Sequence, residues 1–397
     1  MSILAVNAGS SSLKFALYPV QGQAVSEAEM TGCIEGLEPA GKPCITWSIR
    51  GQAKTIDAVQ VGANVDPFDA ALPALKQLLV THFAHVPLQA IAHRVVHGGL
   101  LYSAPVRVTP EVLTQLATLN SLAPLHQPHN LAGVRAFSES FPDVVQVACF
   151  DTAFHRTLSA LETTFAIDRQ LTARGVRRFG FHGLSYQFVS QVLQDVSPRS
   201  AGRTVMAHLG NGASVCATTE HQSRATTMGF SALDGLMMGS RSGALDPGVL
   251  LYLMEQGWDH DAIQKLLYKQ SGLLGVSGES ADMRTLRASG SPSAQLAIDL
   301  FTHRVVREVG ALTACVGGLD VLAFTGGIGE HDAVLRQQVC EALHYLGVSV
   351  DAARNQAATG DAVRAIHAEG SGVEVWVIPT DEGRVAAREA LGLMRGA

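Results

Sequence analysis

Three glycine-rich turns in the sequence carry residue types that can hold a phosphate. The first, NAGSSSLKF, begins at Asn7 between two apolar runs. Glycine lets a phosphate approach backbone N–H groups closely, and Ser10 and Ser12 add hydroxyl donors. Because side chains alternate along a strand, Lys14 lies on the same face as Ser12 and can reach the same phosphate. The Asn7 carbonyl oxygen suits Mg²⁺ or its water. We predict a phosphate-binding hairpin.

The hairpin pattern recurs in TVMAHLGNGASVCATT, which begins at Thr204. A third turn, in VLAFTGGIGEHDAVL from Val321, leads from a strand into a helix, whose exposed N-terminal N–H groups would favour an anion. Any one of these turns is equally well an ordinary turn between two elements. Their repetition favours phosphate binding and predicts two related α/β halves.

Two arginines stand where they can reach into a cleft. Arg94 ends the apolar run AIAHR, and Arg241 lies in the glycine loop MGSRSG. A guanidinium binds a carboxylate or a phosphate through two parallel hydrogen bonds. A single arginine is usually a surface or salt-bridge residue, so these positions become functional candidates only through their context.

The elements around these residues can be read from hydrophobic periodicity and capping signals. Apolar runs predict strands at ILAVNAG, SLKFALY, AIAHRVVHGG and DVVQVACF. Residues 68–84 have helical spacing, with Pro73 predicted to mark a break or a first turn. A second helix is predicted after Thr109 as N-cap, with Pro110 at its first position and Glu111 beside the positive end of the helix dipole.

The composition excludes several classes of partner. The 397 residues are 47% hydrophobic, which favours two domains with large cores. A net charge of −6 without a basic run argues against nucleic acid. The six cysteines form no CxxC pair, and the N-terminus shows no signal peptide, which predicts free thiols in a reducing compartment. We therefore expect a cytoplasmic protein without a membrane partner.

The histidines suggest a metal site as a weaker alternative. His93 and His97 in HRVVH, and His126 and His129 in HQPH, have spacings seen among zinc ligands. Residues four apart in a strand are about 13 Å apart, which is too far to share one zinc. A structural or hydrogen-bonding role is the better interpretation of each histidine.

Further motifs follow along the chain: HRVVHGG, FDTAFH, FGFHGLSY, HLGNGAS, MGSRSGALDPG, FTGGIGE and VIPTDEG. Together with NAGSSSLKF, their order and spacing resemble those of acetate kinases, within the acetate and sugar kinase, Hsp70 and actin superfamily. The resemblance implies an α/β fold with two RNase H-like (actin-like ATPase) domains flanking a nucleotide cleft. The domains implied are 1–150, with a C-terminal helix 384–397 packing back on it, and 151–383.

The resemblance also implies an activity: direct in-line phosphoryl transfer between ATP and acetate, giving acetyl phosphate and ADP, with Mg²⁺ (or Mn²⁺ in its place), in a homodimer. The catalytic residues implied are Asp151, Arg94, Arg241 and His182. Those implied to bind acetate are Arg94, Val96, Leu125, Phe181 and Ala232. Those implied to bind ATP are Ser10, Ser12, Lys14, His208, Leu209, Gly210, Asn211, Gly212, Asp282, Met283, Arg284, Gly327, Ile328, Gly329, Glu330 and His331. Asn7 and Glu382 are implied at the metal.

The charge of the substrate bears on the role of Asp151. A carboxylate nucleophile is already ionised at pH 7, so the reaction requires no general base. We therefore expect Asp151 to orient Arg94 or to bind Mg²⁺ through water. The charge of His182 is left open, since either form can donate a hydrogen bond to the phosphoryl group.

The chain departs from the acetate kinase pattern at three positions. Ala232 replaces a common proline, which predicts a roomier pocket that admits propionate. His331 replaces a common asparagine, which leaves the nucleotide preference open. Gly383 replaces a second acidic residue. The alternatives are a propionate or butyrate kinase, a sugar or glycerol kinase, a nucleotide-switched partner protein and, most weakly, a zinc hydrolase.

Overall fold

A computed structural model describes residues 1–9, 11–38, 41–60, 67–124 and 126–396. The chain forms two compact units. Unit 1 is Met1–Ala153 with Asp381–Ala397, and unit 2 is Phe154–Thr380. The boundaries predicted from the sequence fall after residues 150 and 383, so each differs by three residues. As a result, Asp151 and Glu382 both belong to unit 1.

Unit 1 is built on a mixed β-sheet. Its strands are β1 (Ser2–Ala8), β2 (Ser12–Gln21), β3 (Ala24–Val25), β4 (Met30–Glu35), β5 (Cys44–Ile49), β6 (Thr55–Ala58), β7 (Leu88–Val95), β8 (Val106–Arg107) and β9 (Val145–Phe150). Among the described residues the strand order is β6-β5-β4-β2-β1-β7-β9-β8, with β3 paired to β2. Strands β1 and β2 form the predicted hairpin, and β7 and β9 run parallel to β1.

Helices cover the sheet of unit 1. They are α1 (Pro67–Phe83), α2 (Pro110–Ala117), α3 (Gln127–Ser140) and α15 (Glu382–Arg395), the last of which packs on β1 and β7. The predicted cap of α2 is confirmed, since the Thr109 side chain accepts a hydrogen bond from Val112 N. The prediction for Pro73 was wrong, because α1 continues through it. Burial of Leu72 and Leu75 on either side holds this helix against the core.

Unit 2 repeats this plan around a second sheet. Its strands are β10 (Thr204–Leu209), β11 (Ala213–Thr219), β12 (Gln222–Thr226), β13 (Val321–Thr325), β14 (Arg364–Ala365) and β15 (Glu374–Val377). The strand order in the described part of the chain is β12-β11-β10-β13-β15-β14. Strand β10 is antiparallel to β11 and parallel to β13, just as β1 is antiparallel to β2 and parallel to β7. Two related α/β halves are therefore confirmed.

The helices of unit 2 are α4 (Ala160–Thr163), α5 (Arg169–Ala173), α6 (Gly183–Val196), α7 (Pro247–Glu255), α8 (His260–Lys269), α9 (Gly272–Ser277), α10 (Met283–Ser289), α11 (Pro292–Val316), α12 (Gly326–His331), α13 (Ala333–Ala342) and α14 (Ala352–Ala357). Helix α11 packs along β10, β11 and β12. Its 25 residues are capped by Ser291 and end at Gly317, which has a positive φ of 75°. No helix in the described residues is long and apolar enough to cross a membrane.

Candidate active site

The β1–β2 hairpin places two predicted site residues side by side. Asn7 and Lys14 are directly opposite each other in the strand register, so their side chains share one face of the sheet. The turn is closed by a hydrogen bond of 2.8 Å from Gly9 N to Ser12 O. Asn7 is half-buried and Lys14 is exposed. Two other predicted residues, Ser10 and Leu125, lie outside the described residues.

Arg94 is fixed by two carboxylates at the end of β7. Its Nε lies 2.9 Å from Asp151 Oδ1, and its Nη2 lies 2.6 Å from Asp151 Oδ2. Its Nε is also 3.5 Å from Glu382 Oε2. Burial lowers the pKa of Arg94, but the Asp151 and Glu382 carboxylates raise it further, so the net pKa lies above its usual range. The Arg94 guanidinium is therefore a fixed positive charge.

This pairing bears on the role of Asp151. Its side chain is only 2% exposed, and both of its oxygens accept hydrogen bonds from Arg94. These hydrogen bonds favour the expectation that Asp151 orients Arg94.

The neighbouring Val96 is also held in place. It is buried, and its N–H donates to Asn130 Oδ1 at 3.0 Å.

The residues available to a divalent cation are oxygen donors. No group of three or more His, Cys, Asp or Glu side chains among the described residues is arranged to hold a metal ion. The conspicuous histidines have other partners: His93 bonds Gln146, and His97 Nδ1 accepts from Gly99 N. Mg²⁺ is usually held by one or two protein oxygens together with substrate phosphates and water. Asn7 and Glu382 therefore fit Mg²⁺ better than zinc.

His182 is held at the start of α6 in a left-handed conformation, with a φ of 57°. Its Nδ1 is 2.8 Å from Ser214 Oγ, which in turn bonds the Tyr186 hydroxyl. Its ring stacks on His208, with the ring centroids 4.2 Å apart. The preceding Phe181 is buried. These contacts commit Nδ1 to the protein and aim Nε2 at the glycine turn, since a Cβ on Gly212 would lie 3.3 Å from it.

Arg241 converges on the same turn. Its Nη1 donates to Ala232 O at 2.9 Å, and a Cβ on Gly212 would lie 4.0 Å from Nη1. The loop is closed by a bond from Met238 N to Arg241 O. Gly272, with a φ of 64°, backs this loop, because a Cβ there would lie 2.2 Å from Met238 O. Unit 2 thus brings His182, Arg241, Ala232 and the turn after β10 together.

Two glycine turns lie side by side because β10 and β13 are parallel neighbours. His208 pairs with Thr325, so Leu209–Gly212 and Gly326–Gly329 follow from adjacent strand ends. Gly326 has a φ of 77°, and a Cβ on it would lie 2.8 Å from Leu209 O. Asn211 O also accepts a bond from Gly239 N, which links the Arg241 loop to these turns. Parallel pairing therefore brings two of the predicted nucleotide segments together.

Glu330 binds the turn after β13 through its carboxylate, a role that the sequence did not suggest. Its Oε1 accepts hydrogen bonds from Gly326 N at 2.8 Å, Thr380 N at 3.1 Å and Thr325 Oγ1 at 3.3 Å. The expectation of exposed donors at the start of α12 was therefore wrong for Gly326, whose N–H is occupied. Helix α12 also has only six residues. The Glu330 carboxylate therefore stabilises the turn after β13.

The remaining predicted nucleotide residues flank these turns. Asp282 caps α10 and pairs with Arg284 at 2.6 Å, and the hydrogen bond from Arg284 lowers the Asp282 pKa to about 2. Met283 is buried. His331 packs on Gly360, where a Cβ would lie 2.5 Å from its ring. The His331 side chain is exposed at this position beside Gly360.

Arg336 was missed by the sequence reasoning. It is fully buried and makes five hydrogen bonds, to the backbone oxygens of Gly329, Glu330, Asn355 and Ala358 and to Asn355 Oδ1. The available signal was its position on the apolar stripe of α13 with Val339 and Cys340. A charged residue on such a stripe indicates a structural task.

Comparison with known proteins identifies the family. The sequence model of the Acetokinase family matches residues 2–388. The chain belongs to this family. It is 48% identical to an acetate kinase of Rhodopseudomonas palustris (strain TIE-1), over 99% of this chain and 98% of that one. It is 47% identical to an acetate kinase of Methylocella silvestris, over the same shares. The predicted family and enzyme class, a phosphotransferase with a carboxyl acceptor, are confirmed.

Solved structures agree on the fold. A propionate kinase from Francisella tularensis superposes with a TM-score of 0.88 at 35% identity, covering 98% of each chain. Porphyromonas gingivalis acetate kinase gives 0.87 at 34% identity, covering 99% of each. The predicted α/β fold class is therefore confirmed.

Proposed function

We propose that this chain catalyses reversible Mg²⁺-dependent phosphoryl transfer between ATP and acetate, giving ADP and acetyl phosphate. The observation that carries the proposal is Arg94, a charged guanidinium held by Asp151 and Glu382. A carboxylate substrate and a γ-phosphate repel each other, so a fixed cation must offset that repulsion. Arg241 is the second cation, anchored by Ala232 O.

The proposed step is a direct displacement. An acetate oxygen attacks the γ-phosphorus, the new O–P bond forms, and the bond to the ADP oxygen breaks with its electron pair leaving on ADP. Acetate is ionised at pH 7, so Asp151 removes no proton and serves to orient Arg94. His182 Nε2 donates a hydrogen bond to a phosphoryl oxygen. Asn7 and Glu382 would hold Mg²⁺, whose charge offsets that of the ATP phosphates.

The substrate partners follow from the same residues. We propose that Lys14 and Ser12 face the ATP phosphates, and that the turns after β10 and β13 hold the remainder of the nucleotide together with Asp282–Arg284. Val96, Phe181 and Ala232 would contact the acetate methyl group. The apolar character of Val96 and Phe181 argues against a polyol such as glycerol.

The direct test is ADP release from Mg·ATP with acetate, propionate, butyrate and glycerol, with hydroxylamine to trap acyl phosphate. We expect carboxylate-dependent ADP release matched by acyl hydroxamate. ADP release that is indifferent to carboxylate would contradict the proposal and favour a nucleotide-switched protein.

Propionate is the second candidate substrate, and Ala232 favours it. Ala232 lacks the ring carbons of a proline, and its carbonyl oxygen accepts a hydrogen bond from the Arg241 guanidinium. We expect Ala232→Pro to lower the kcat/KM ratio of propionate to acetate about fourfold, since one buried CH₂ is worth about 0.8 kcal/mol. Steady-state kinetics with both acids test this, with Ala232→Gly as the control that keeps the space open. An unchanged ratio in the proline variant would exclude the role of Ala232.

We also propose that the chain forms a homodimer. Helix α7 supports this, because it exposes the large apolar side chains of Val249, Leu251, Tyr252 and Met254. Large apolar side chains exposed together on one helix indicate an interaction surface. Light scattering should give twice the 41.9 kDa chain mass, and Leu251→Glu should reduce it. A wild-type chain that stays monomeric at micromolar concentration would contradict this. The cytoplasmic location stays a prediction.

A further inference from the structure

Tyr18 connects β2 to the start of the C-terminal helix. Its side chain is buried, with only 2% of its surface exposed, and its hydroxyl donates a 2.5 Å hydrogen bond to Asp381 Oδ1. Burial and the Asp381 carboxylate raise the Tyr18 pKa well above its usual range. The hydroxyl therefore keeps its proton and remains a donor to Asp381. The two residues are 363 positions apart in the sequence.

Gly383 leaves the space that the Tyr18 hydroxyl occupies. A Cβ at position 383 would lie 2.5 Å from Tyr18 Oη and 3.2 Å from its ring carbons. Real Cβ atoms do not approach a heavy atom so closely, so a side chain at 383 and a tyrosine at 18 exclude each other. Glycine is otherwise a poor choice in a helix, by up to about 1 kcal/mol relative to alanine. The space that the Tyr18 side chain occupies therefore explains why position 383 is a glycine.

Asp381 links the Tyr18 hydroxyl to the position of Glu382. Asp381 Oδ1 also accepts the N–H of Arg384 at 3.0 Å, which makes Asp381 the N-cap of α15. The next residue, Glu382, begins the helix and lies 3.5 Å from Arg94. The Tyr18 hydroxyl thus helps to set where α15 begins and how Glu382 meets Arg94.

We propose that Tyr18 is a positioning residue for Glu382, acting through the Asp381 cap, and that Gly383 is required by Tyr18. This proposal rests on the proposed role of Glu382 at Mg²⁺. Both residues act on the first turn of α15.

Tyr18→Phe tests the positioning role, because it removes the hydroxyl and keeps the ring. We expect the Mg²⁺ concentration for half-maximal activity to rise about tenfold, as for loss of a hydrogen bond to a charged group. The KM for acetate should change less than twofold. A purely structural role would lower the melting temperature and leave the Mg²⁺ requirement unchanged, and that result would overturn the positioning role.

Melting temperatures test the matched pair without any measurement of activity. Gly383→Ala should lower the melting temperature by several degrees in the presence of Tyr18, since a buried steric clash must be relieved. Combined with Tyr18→Leu, which clears the space, it should have little effect or raise the melting temperature. Gly392→Ala is the matched control, because a Cβ there meets nothing within 4 Å in the same helix. Tyr18→Phe, which removes only the closest atom, serves if Tyr18→Leu does not fold.

An equal loss from Gly383→Ala in both backgrounds would overturn the matched pair. Failure of the proposed function would give another result, since the wild-type chain would then show no acetate-dependent ADP release. The melting temperatures would still decide whether Tyr18 and Gly383 are coupled. The two hypotheses can therefore fail separately.

Discussion

Replacing Arg94 with lysine is expected to lower kcat about a thousandfold, with a much smaller change in the KM for ATP. Lysine keeps the positive charge but loses the planar fork whose Nε and Nη2 both donate to Asp151. Arginines that offset transition-state charge in phosphoryl transfer are worth about 10³ or more in kcat. Steady-state kinetics in both directions measure this effect.

Asp151→Asn separates orientation from direct catalysis. If Asp151 acts through Arg94, this variant should lower kcat about a hundredfold, and the double variant with Arg94→Lys should be no worse than Arg94→Lys alone. Multiplicative losses in the double variant would contradict the orienting role and indicate a separate task for Asp151.

Unit 2 offers a matched control for this pair. Arg203 binds Asp320 through the same fork geometry, with its Nε 2.8 Å and its Nη2 2.7 Å from the two carboxylate oxygens. This pair lies at the amino ends of β10 and β13, whereas the glycine turns follow their carboxyl ends. Arg203→Lys is therefore expected to keep kcat within twofold. A comparable loss there would show that lysine disturbs the fold rather than the chemistry.

The parts of the fold that the sequence predicts are those set by local patterns. The hairpins at Asn7–Lys14 and His208–Ser214 follow from alternation around glycine, and the α2 cap follows from Thr109 and Pro110. The motifs around Arg94 and Arg241 identify the family, and with it the α/β fold. Local signals suffice where one turn or one cap decides the structure.

The contacts that the sequence does not predict join distant segments. Tyr18 meets Asp381 across 363 positions, and Glu330 uses its carboxylate on Gly326, Thr325 and Thr380. Helix α1 runs through Pro73 because packing of its apolar face outweighs the lost hydrogen bond. Nothing in the local sequence encodes these choices, since each depends on which elements the folded core brings together.

Arg336 is the most consequential of these unpredicted residues. Its guanidinium is fully buried, and its five hydrogen bonds use all five N–H donors. Two of the acceptors, Gly329 O and Glu330 O, belong to α12, whose first four residues form the glycine turn after β13. The others belong to α14 or directly follow it. Arg336, which lies on α13, therefore connects the proposed nucleotide turn to α14.

Arg336→Lys is expected to lower the free energy of unfolding by about 2–6 kcal/mol and to raise the KM for ATP more than the KM for acetate. An ammonium has three donors, so two buried carbonyl oxygens lose their partners, at about 1–3 kcal/mol each. Urea denaturation measures the first effect and steady-state kinetics the second. The matched control is Arg354→Lys on α14, an exposed arginine that donates to His367 O at 3.2 Å.

The free energy of unfolding and the KM for ATP distinguish a stabilising role of Arg336 from a positioning role. If Arg336 only stabilises the core, the KM for ATP below the unfolding transition should equal that of the wild type, and the link to the nucleotide turn would be wrong. If it also positions the turn, ATP binding weakens at temperatures where the protein is fully folded. Glu330 then gives an internal check, because Glu330→Gln loosens the same turn from its other side. It should raise the KM for ATP with a smaller loss of stability, since one amide oxygen can still accept from Gly326 N.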